Sequence, residues 1–253
     1  MILAWVGAVL IGLSLGMLGS GGAILTVPVL VFLVGEPSKL AVAESLAMVG
    51  LIALFGAIPY ASKGQVSWVH VLVFGLPGMV GTYCGAYISK WIPGAWQMGM
   101  FAAVLLVAAY RMYRPARVAH TPPEHLTWKL VLGGLLVGVL SGVIGVGGGF
   151  LIVPALVLMG GLNLSQAVGT SLVVIAFNSA SGFYKYLHLL PQQGYSVHWQ
   201  LVALFVVLGV GGSFFGRYLG SRIPQPILRQ GFAGFLLAMG GFILWQDLGK
   251  LLR

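Results

Sequence analysis

Charge is the scarcest property of this sequence: of 253 residues only 7% are Asp, Glu, Lys or Arg, and just four of them are acidic. A water-soluble fold carries about a quarter of its residues charged to cover its surface, so water is excluded as the main solvent. Cysteine occurs once, at Cys84, which excludes a disulfide framework; lying in an apolar run, this thiol reads as a small packing residue. The 13 Lys and Arg residues form no basic arm but lie scattered in short connecting stretches, which excludes nucleic acid as a partner despite a net charge of +9. The start, Met1-Ile2-Leu3-Ala4-Trp5, has no basic residue and no processing site follows it, so no cleaved signal peptide is expected.

Catalytic patterns are missing as well. Gly145-Val146-Gly147-Gly148-Gly149 resembles a nucleotide loop only superficially, lacking the Gly-Lys-Ser/Thr ending and a preceding soluble strand. His70, His120, His125, His188 and His198 fall in loops or at segment edges, and no metal-ligand spacing or nucleophile arrangement occurs. No enzyme, no cofactor and no metal site is expected.

Apolar residues are abundant, at 59% with a mean hydropathy of +1.01. Runs of the roughly 20 apolar residues that cross a bilayer occur at 2–34, 40–61, 68–91, 95–113, 129–160, 164–187, 198–219 and 226–248. They predict an all-α polytopic membrane protein of eight segments surrounded by lipid. Trp68, Trp91, Trp96, Trp128, Trp199 and Trp245 lie near segment ends, as interfacial anchors do.

The chain repeats itself. Gly16-Met17-Leu18-Gly19-Ser20-Gly21-Gly22 returns as Gly142-Val143-Ile144-Gly145-Val146-Gly147-Gly148, and nine of sixteen positions are identical between 16–31 and 142–157. The register carries on through Pro28 and Pro154, Glu44 and Thr170, and Ser45 and Ser171. Later, Trp68, Gly78, Gly81, Gly85 and Tyr87 match Trp199, Gly209, Gly212, Gly216 and Tyr218, the extra residues falling in the polar loop around Leu190-Pro191-Gln192-Gln193-Gly194. The reading is two homologous four-segment repeats, 1–113 and 129–253, joined by a polar, proline-bearing linker at 114–128.

The first segment of each repeat is too long for one span: about 33 residues would extend ~50 Å against a hydrocarbon core of ~30 Å. It is expected to break at its Gly-rich stretch. Two topologies follow. If all eight segments cross once, Lys and Arg divide 8 to 5 between the faces and both termini are cytoplasmic; if each first segment folds into a re-entrant hairpin, the halves become inverted repeats, the division is 5 to 8 and the termini lie outside. The sequence admits both.

Paired Gly/Pro-interrupted segments at matching positions point to a transporter's binding site, because non-helical backbone at membrane depth survives only inside protein or beside a cavity. A helix restarting after the break presents its N–H groups and positive dipole end, which suits a small anion. The expected binding residues are Gly19, Ser20, Gly21 and Gly22 and their counterparts Gly145, Gly147, Gly148 and Gly149, with Ser45, Thr170, Ser171 and Asn178 lining the cavity. The bland alternative is helix packing through small residues, which is the reading for the Gly78/Gly81/Gly85 and Gly209/Gly212/Gly216 rows. Asn178-Ser179-Ala180-Ser181 is the most polar patch inside a span and fits either a cavity lining or interhelical hydrogen bonding. Glu44, if buried, is a candidate carrier of a coupling proton; Arg217 and Lys185, near segment ends, read first as side chains snorkelling to the interface and only second as anion ligands.

The glycine stretch with Pro28, its twin from Gly142 to Gly149 with Pro154, and Ala167-Val168-Gly169-Thr170-Ser171-Leu172 resemble the sulfite exporter TauE/SafE group of membrane permeases. The resemblance covers nearly the whole chain. It implies two homologous halves in the bacterial plasma membrane and transport of sulfur-containing anions such as sulfite or sulfonates. Separately from the resemblance, a homodimer is a candidate partner, with the oligomeric state left open by the sequence. Ser20 against Val146, Ala23 against Gly149 and Glu44 against Thr170 make the half-sites unequal. An anion channel and a non-transporting assembly protein are the alternatives.

Overall fold

A computed structural model describes residues 2–18, 21–113, 127–220 and 225–251. Gly19, Ser20 and most of the linker lie outside the described residues. Every regular element among the described residues is helical, as an apolar chain requires when its backbone groups cannot turn to water. We label them α1 (Ile2–Leu18), α2 (21–34), α3 (Ser38–Ala61), α4 (Trp68–Trp91), α5 (Gly94–Tyr113), α6 (Thr127–Ile144), α7 (Gly149–Leu158), α8 (Leu164–Leu189), α9 (Trp199–Gly220) and α10 (Gln225–Leu251). Four of these, α3, α4, α8 and α9, are long and apolar enough to cross a membrane. The expected runs 2–34 and 129–160 each divide into two shorter apolar helices, at the glycines.

The two arms of each divided run fold back on one another. A Cβ at Gly7 would meet Val29 Cγ1 at 2.7 Å, although a straight helix would hold these residues roughly 33 Å apart. In the second half a Cβ at Gly133 would lie 3.8 Å from Met159 Cε, across the break at 145–148. Both runs are therefore hairpins, and the straight-span topology does not hold. Other contacts agree. Lys39 Nζ donates to the Lys90 carbonyl, and His198 reaches Glu36, so the loops after α2, α4 and α8 share one face. On the opposite face the Ser67 amide donates to Thr170 Oγ1, and His70 lies beside Gly160.

Packing crosses between the halves. Helix α1 packs most extensively on α9 and α6 on α4, while α3 packs on α8 at the centre and α5 on α10. The glycine rows are these seams: a Cβ at Gly81 or Gly85 would run into the α6 backbone at Leu135 or Val139, and one at Gly212 or Gly216 into α1 at Val9 or Leu13. Small residues let the backbones touch where lipid gives no hydrophobic drive to associate. Cys84 departs from expectation. It is exposed, because the packing face of α4 is the Gly78/Gly81/Gly85 row and Cys84 lies off it. Trp68, Trp91, Trp96, Trp128, Trp199 and Trp245 all point outward.

Candidate functional site

The break between α6 and α7 is buried throughout. Gly145, Gly147 and Gly148 adopt φ of 82°, 68° and 71°, a left-handed region that a side chain would strain. This conformation ends α6 and starts α7 within a few residues. The turn is wedged between the central helices: Gly145 abuts Val42, and a Cβ at Gly147 would meet Val49, Ile175 and Ser179 Oγ.

Breaking a helix exposes carbonyls at one end and amides at the other, and here the two ends are treated differently. At the α6 end, Tyr186 Oη donates to the Gly142 carbonyl at 3.1 Å, Gln97 Nε2 to Val143 at 3.0 Å and Ser45 Oγ to Gly145 at 2.6 Å. The Gly145 amide closes the Ser141 carbonyl. At the α7 end, the cap position is taken by Gly148, which has no side chain to accept from the first amides, and its carbonyl accepts from the Leu151 and Ile152 amides. The negative end is thus neutralised by protein donors, while the positive end has no side-chain cap at Gly148.

Polar atoms without a protein partner gather around this centre. The Ser179 hydroxyl, beside Gly147, is fully buried and unpartnered, as are both amide atoms of Asn178, which lie against Gly78 of α4. Ser141 Oγ and, on the first hairpin, Thr26 Oγ1 are in the same condition. Such groups cost about 1–3 kcal/mol each when unmatched in a protein interior. Ser181, the third polar residue of the patch, instead donates to the Met79 carbonyl and is an interhelical bond.

The other expected residues divide between roles. Ser45 is engaged with the Val42 and Gly145 carbonyls and holds the break, while Ser171 bonds within its own helix to Val168. Thr170 Oγ1 accepts the amide of Ser67, immediately before α4; Glu44 Oε1 accepts the amide of His198, immediately before α9, at 2.8 Å. The matched positions therefore do the same job at opposite ends, anchoring the start of a long helix in the other half. Glu44 does so with a fully buried carboxylate whose Oε2 has no protein partner. Gly21 and Gly22 open α2, Gly149 is the first residue of α7, and Gly19 and Ser20 are outside the described residues.

Arg217 stacks over Tyr60 at 4.8 Å and shares a small cleft with Leu15 and Gly16 at the end of α1. Lys185 lies over Tyr83 and Tyr87. Sequence reasoning missed Gln97 and Tyr186, since a buried glutamine at a segment start and a tyrosine near a segment end read as interfacial residues. It also missed the meeting of Glu36 and Glu44 with His198, more than 150 residues away along the chain.

The sulfite exporter TauE/SafE family matches residues 4–243 of the chain. A probable membrane transporter protein of Xylella fastidiosa is 30% identical over 251 residues, covering 96% of this chain and 94% of that one. The probable membrane transporter protein YdhB of Bacillus subtilis is 28% identical, covering 93% and 96%, and a probable membrane transporter protein of Methanocaldococcus jannaschii is 27% identical, covering 93% and 94%. No solved structure matches. With a polytopic apolar fold, and with a match running almost from end to end, the chain is a multi-pass membrane transporter that belongs to the sulfite exporter TauE/SafE family.

Proposed function

We propose that this transporter carries a small sulfur-containing anion, such as sulfite or a sulfonate, across the bacterial plasma membrane, binding it between its broken helices near the membrane midplane. The observation that carries the reading is the asymmetry of the α6–α7 break: its carbonyl end is closed by Tyr186, Gln97 and Ser45, while its amide end is uncapped beside the unpartnered Ser179 hydroxyl. A site built this way offers donors and a positive dipole end to an oxyanion. Asn178, buried and unpartnered on the same helix, supplies further polar contacts, and Arg217 draws anions toward its cleft.

The two halves act as inverted repeats that exchange access by moving against each other around the central α3–α8 pair. The face carrying the loops after α2, α4 and α8 has five Lys and Arg against eight on the other, which sets it outside the cytoplasm. Glu44 is the coupling group, a carboxylate buried inside the protein that gains or loses a proton during the cycle.

The test is uptake of labelled sulfite, sulfate and a small sulfonate into proteoliposomes, with and without a proton gradient and with substrate on the far side. Saturable flux accelerated by counter-substrate is expected. Large currents without counterflow would make the protein a channel, and well-folded protein moving none of these anions would sink the proposal.

A further inference from the structure

Only four acidic side chains occur in the chain, and two of them converge on one histidine. His198 Nδ1 lies 3.0 Å from Glu36 Oε1 and 3.4 Å from Glu44 Oε1, and one ligand atom from each of the three residues falls within 4.8 Å of the others. We propose that Glu36, Glu44 and His198 form a binding site for a divalent transition-metal ion of the zinc class, bridging the two halves of the chain.

The local excess of acidic groups favours a cation here. Two carboxylates face a single imidazole, which neutralises at most one of them. The next basic residue along the chain, Lys39, donates to the Lys90 carbonyl. Glu44 is fully buried; its Oε1 is held by the His198 amide, which leaves Oε2, buried and without a protein partner, as the free oxygen of the pair. A carboxylate in apolar surroundings with an unmatched oxygen is stabilised by ligating a metal ion.

The donor set selects the ion. One imidazole nitrogen with two carboxylates suits zinc and its neighbours, whereas calcium and magnesium take oxygen ligands in larger numbers. Four-coordinate zinc with bonds of about 2.0–2.1 Å separates its ligand atoms by about 3.4 Å, and the 3.0 Å between His198 Nδ1 and Glu36 Oε1 is within a few tenths of an ångström of that. The site is also reachable: the His198 side chain is 54% exposed and that of Glu36 12%, so the ion enters from the loop face and keeps water in its fourth position.

Placement gives the site a consequence. Glu36 follows the returning arm of the first hairpin, Glu44 belongs to α3 and His198 directly precedes α9, so the ion ties together elements from both halves. Glu44 is also adjacent to Ser45, which holds the Gly145 carbonyl of the second hairpin. On the transport reading above, metal would compete with the proton for Glu44; the binding measurement itself does not rest on that reading.

The test uses the full chain in detergent, purification tag removed and metal stripped. Zinc titration by calorimetry is expected to give one saturable equivalent. Glu36→Gln and His198→Gln should each weaken it at least tenfold, a loss typical when a ligand shell is damaged, while His188→Gln, whose ring bonds the Tyr184 carbonyl, should bind as wild type. X-ray absorption at the zinc edge of the loaded wild type should show imidazole and oxygen donors, which keeps the test decisive if a variant misfolds. Absence of saturable binding by folded wild type, undiminished binding by both variants, or a spectrum without imidazole would overturn the proposal.

Discussion

Gly147→Ala adds a single methyl group to the centre of the α6–α7 break, and the structure states what that methyl meets. Its position is 3.0 Å from Val49 Cγ1 and 3.2 Å from both Ile175 Cγ2 and Ser179 Oγ. Each of these atoms must retreat by a few tenths of an ångström, and overfilling a packed interior costs about 1–3 kcal/mol. The backbone adds its own term: holding an alanine at φ 68° costs roughly 1–2 kcal/mol. Together the variant should lose about 2–5 kcal/mol. Gly211→Ala is the control. Nothing lies within 4 Å of a Cβ there, its φ is ordinary and it sits inside α9, so alanine should match or exceed wild type through helix propensity, by about 1 kcal/mol. The assay is thermal unfolding in detergent followed by size-exclusion fluorescence, with liposome flux measured on whatever remains folded. Gly147→Ala should melt well below wild type, Gly211→Ala at or above it, and flux by folded Gly147→Ala should fall because the methyl occupies the space beside Ser179. Coincident melting of Gly147→Ala and wild type would refute the left-handed geometry and the tight turn it builds.

Asn178→Leu replaces a fully buried amide that has no protein partner with an apolar group of similar size, so it should raise thermal stability while reducing anion flux; lower stability would mean the amide is matched in the folded protein. Ser45→Ala removes the donor from the buried Gly145 carbonyl and should cost about 1–3 kcal/mol in the same melting assay. Glu44→Gln keeps an oxygen for the His198 amide and should fold normally, yet its uptake should no longer respond to a proton gradient. Gly85→Ala drives a methyl into the α6 backbone at Val139 and Gly142 and should lower the yield of monodisperse protein, unlike Gly211→Ala.

Much of the architecture was legible because the bilayer imposes simple rules. Apolar runs predicted helices, excess length predicted the breaks, and the spacing of Gly78, Gly81 and Gly85 predicted a packing face. The choice between straight spans and hairpins was not legible. It depends on contacts such as Gly7 with Val29, which periodicity does not encode. At the candidate site the glycines were readable from their pattern, but Ser45 and Thr170 looked like cavity linings and proved to hold backbone ends. Hydroxyl roles depend on which neighbour lies within 3 Å, and a one-dimensional pattern is blind to that. Gln97 and Tyr186 escaped for the same reason, their partners being carbonyls freed by a break in another helix.

The crossed seams govern how this protein is made. Helix α1 leaves the ribosome early, but the surface it packs on, α9, starts only at Trp199; at ordinary synthesis rates the wait is on the order of ten to forty seconds. Until then the Gly12 and Gly16 face of α1, whose partners are the α9 backbone at Gly209 and Ser213, has only lipid or the insertion machinery against it. The first half on its own is thus an unfinished surface open to quality control, and two fragments cut at the linker should regain a stable fold only when synthesised together.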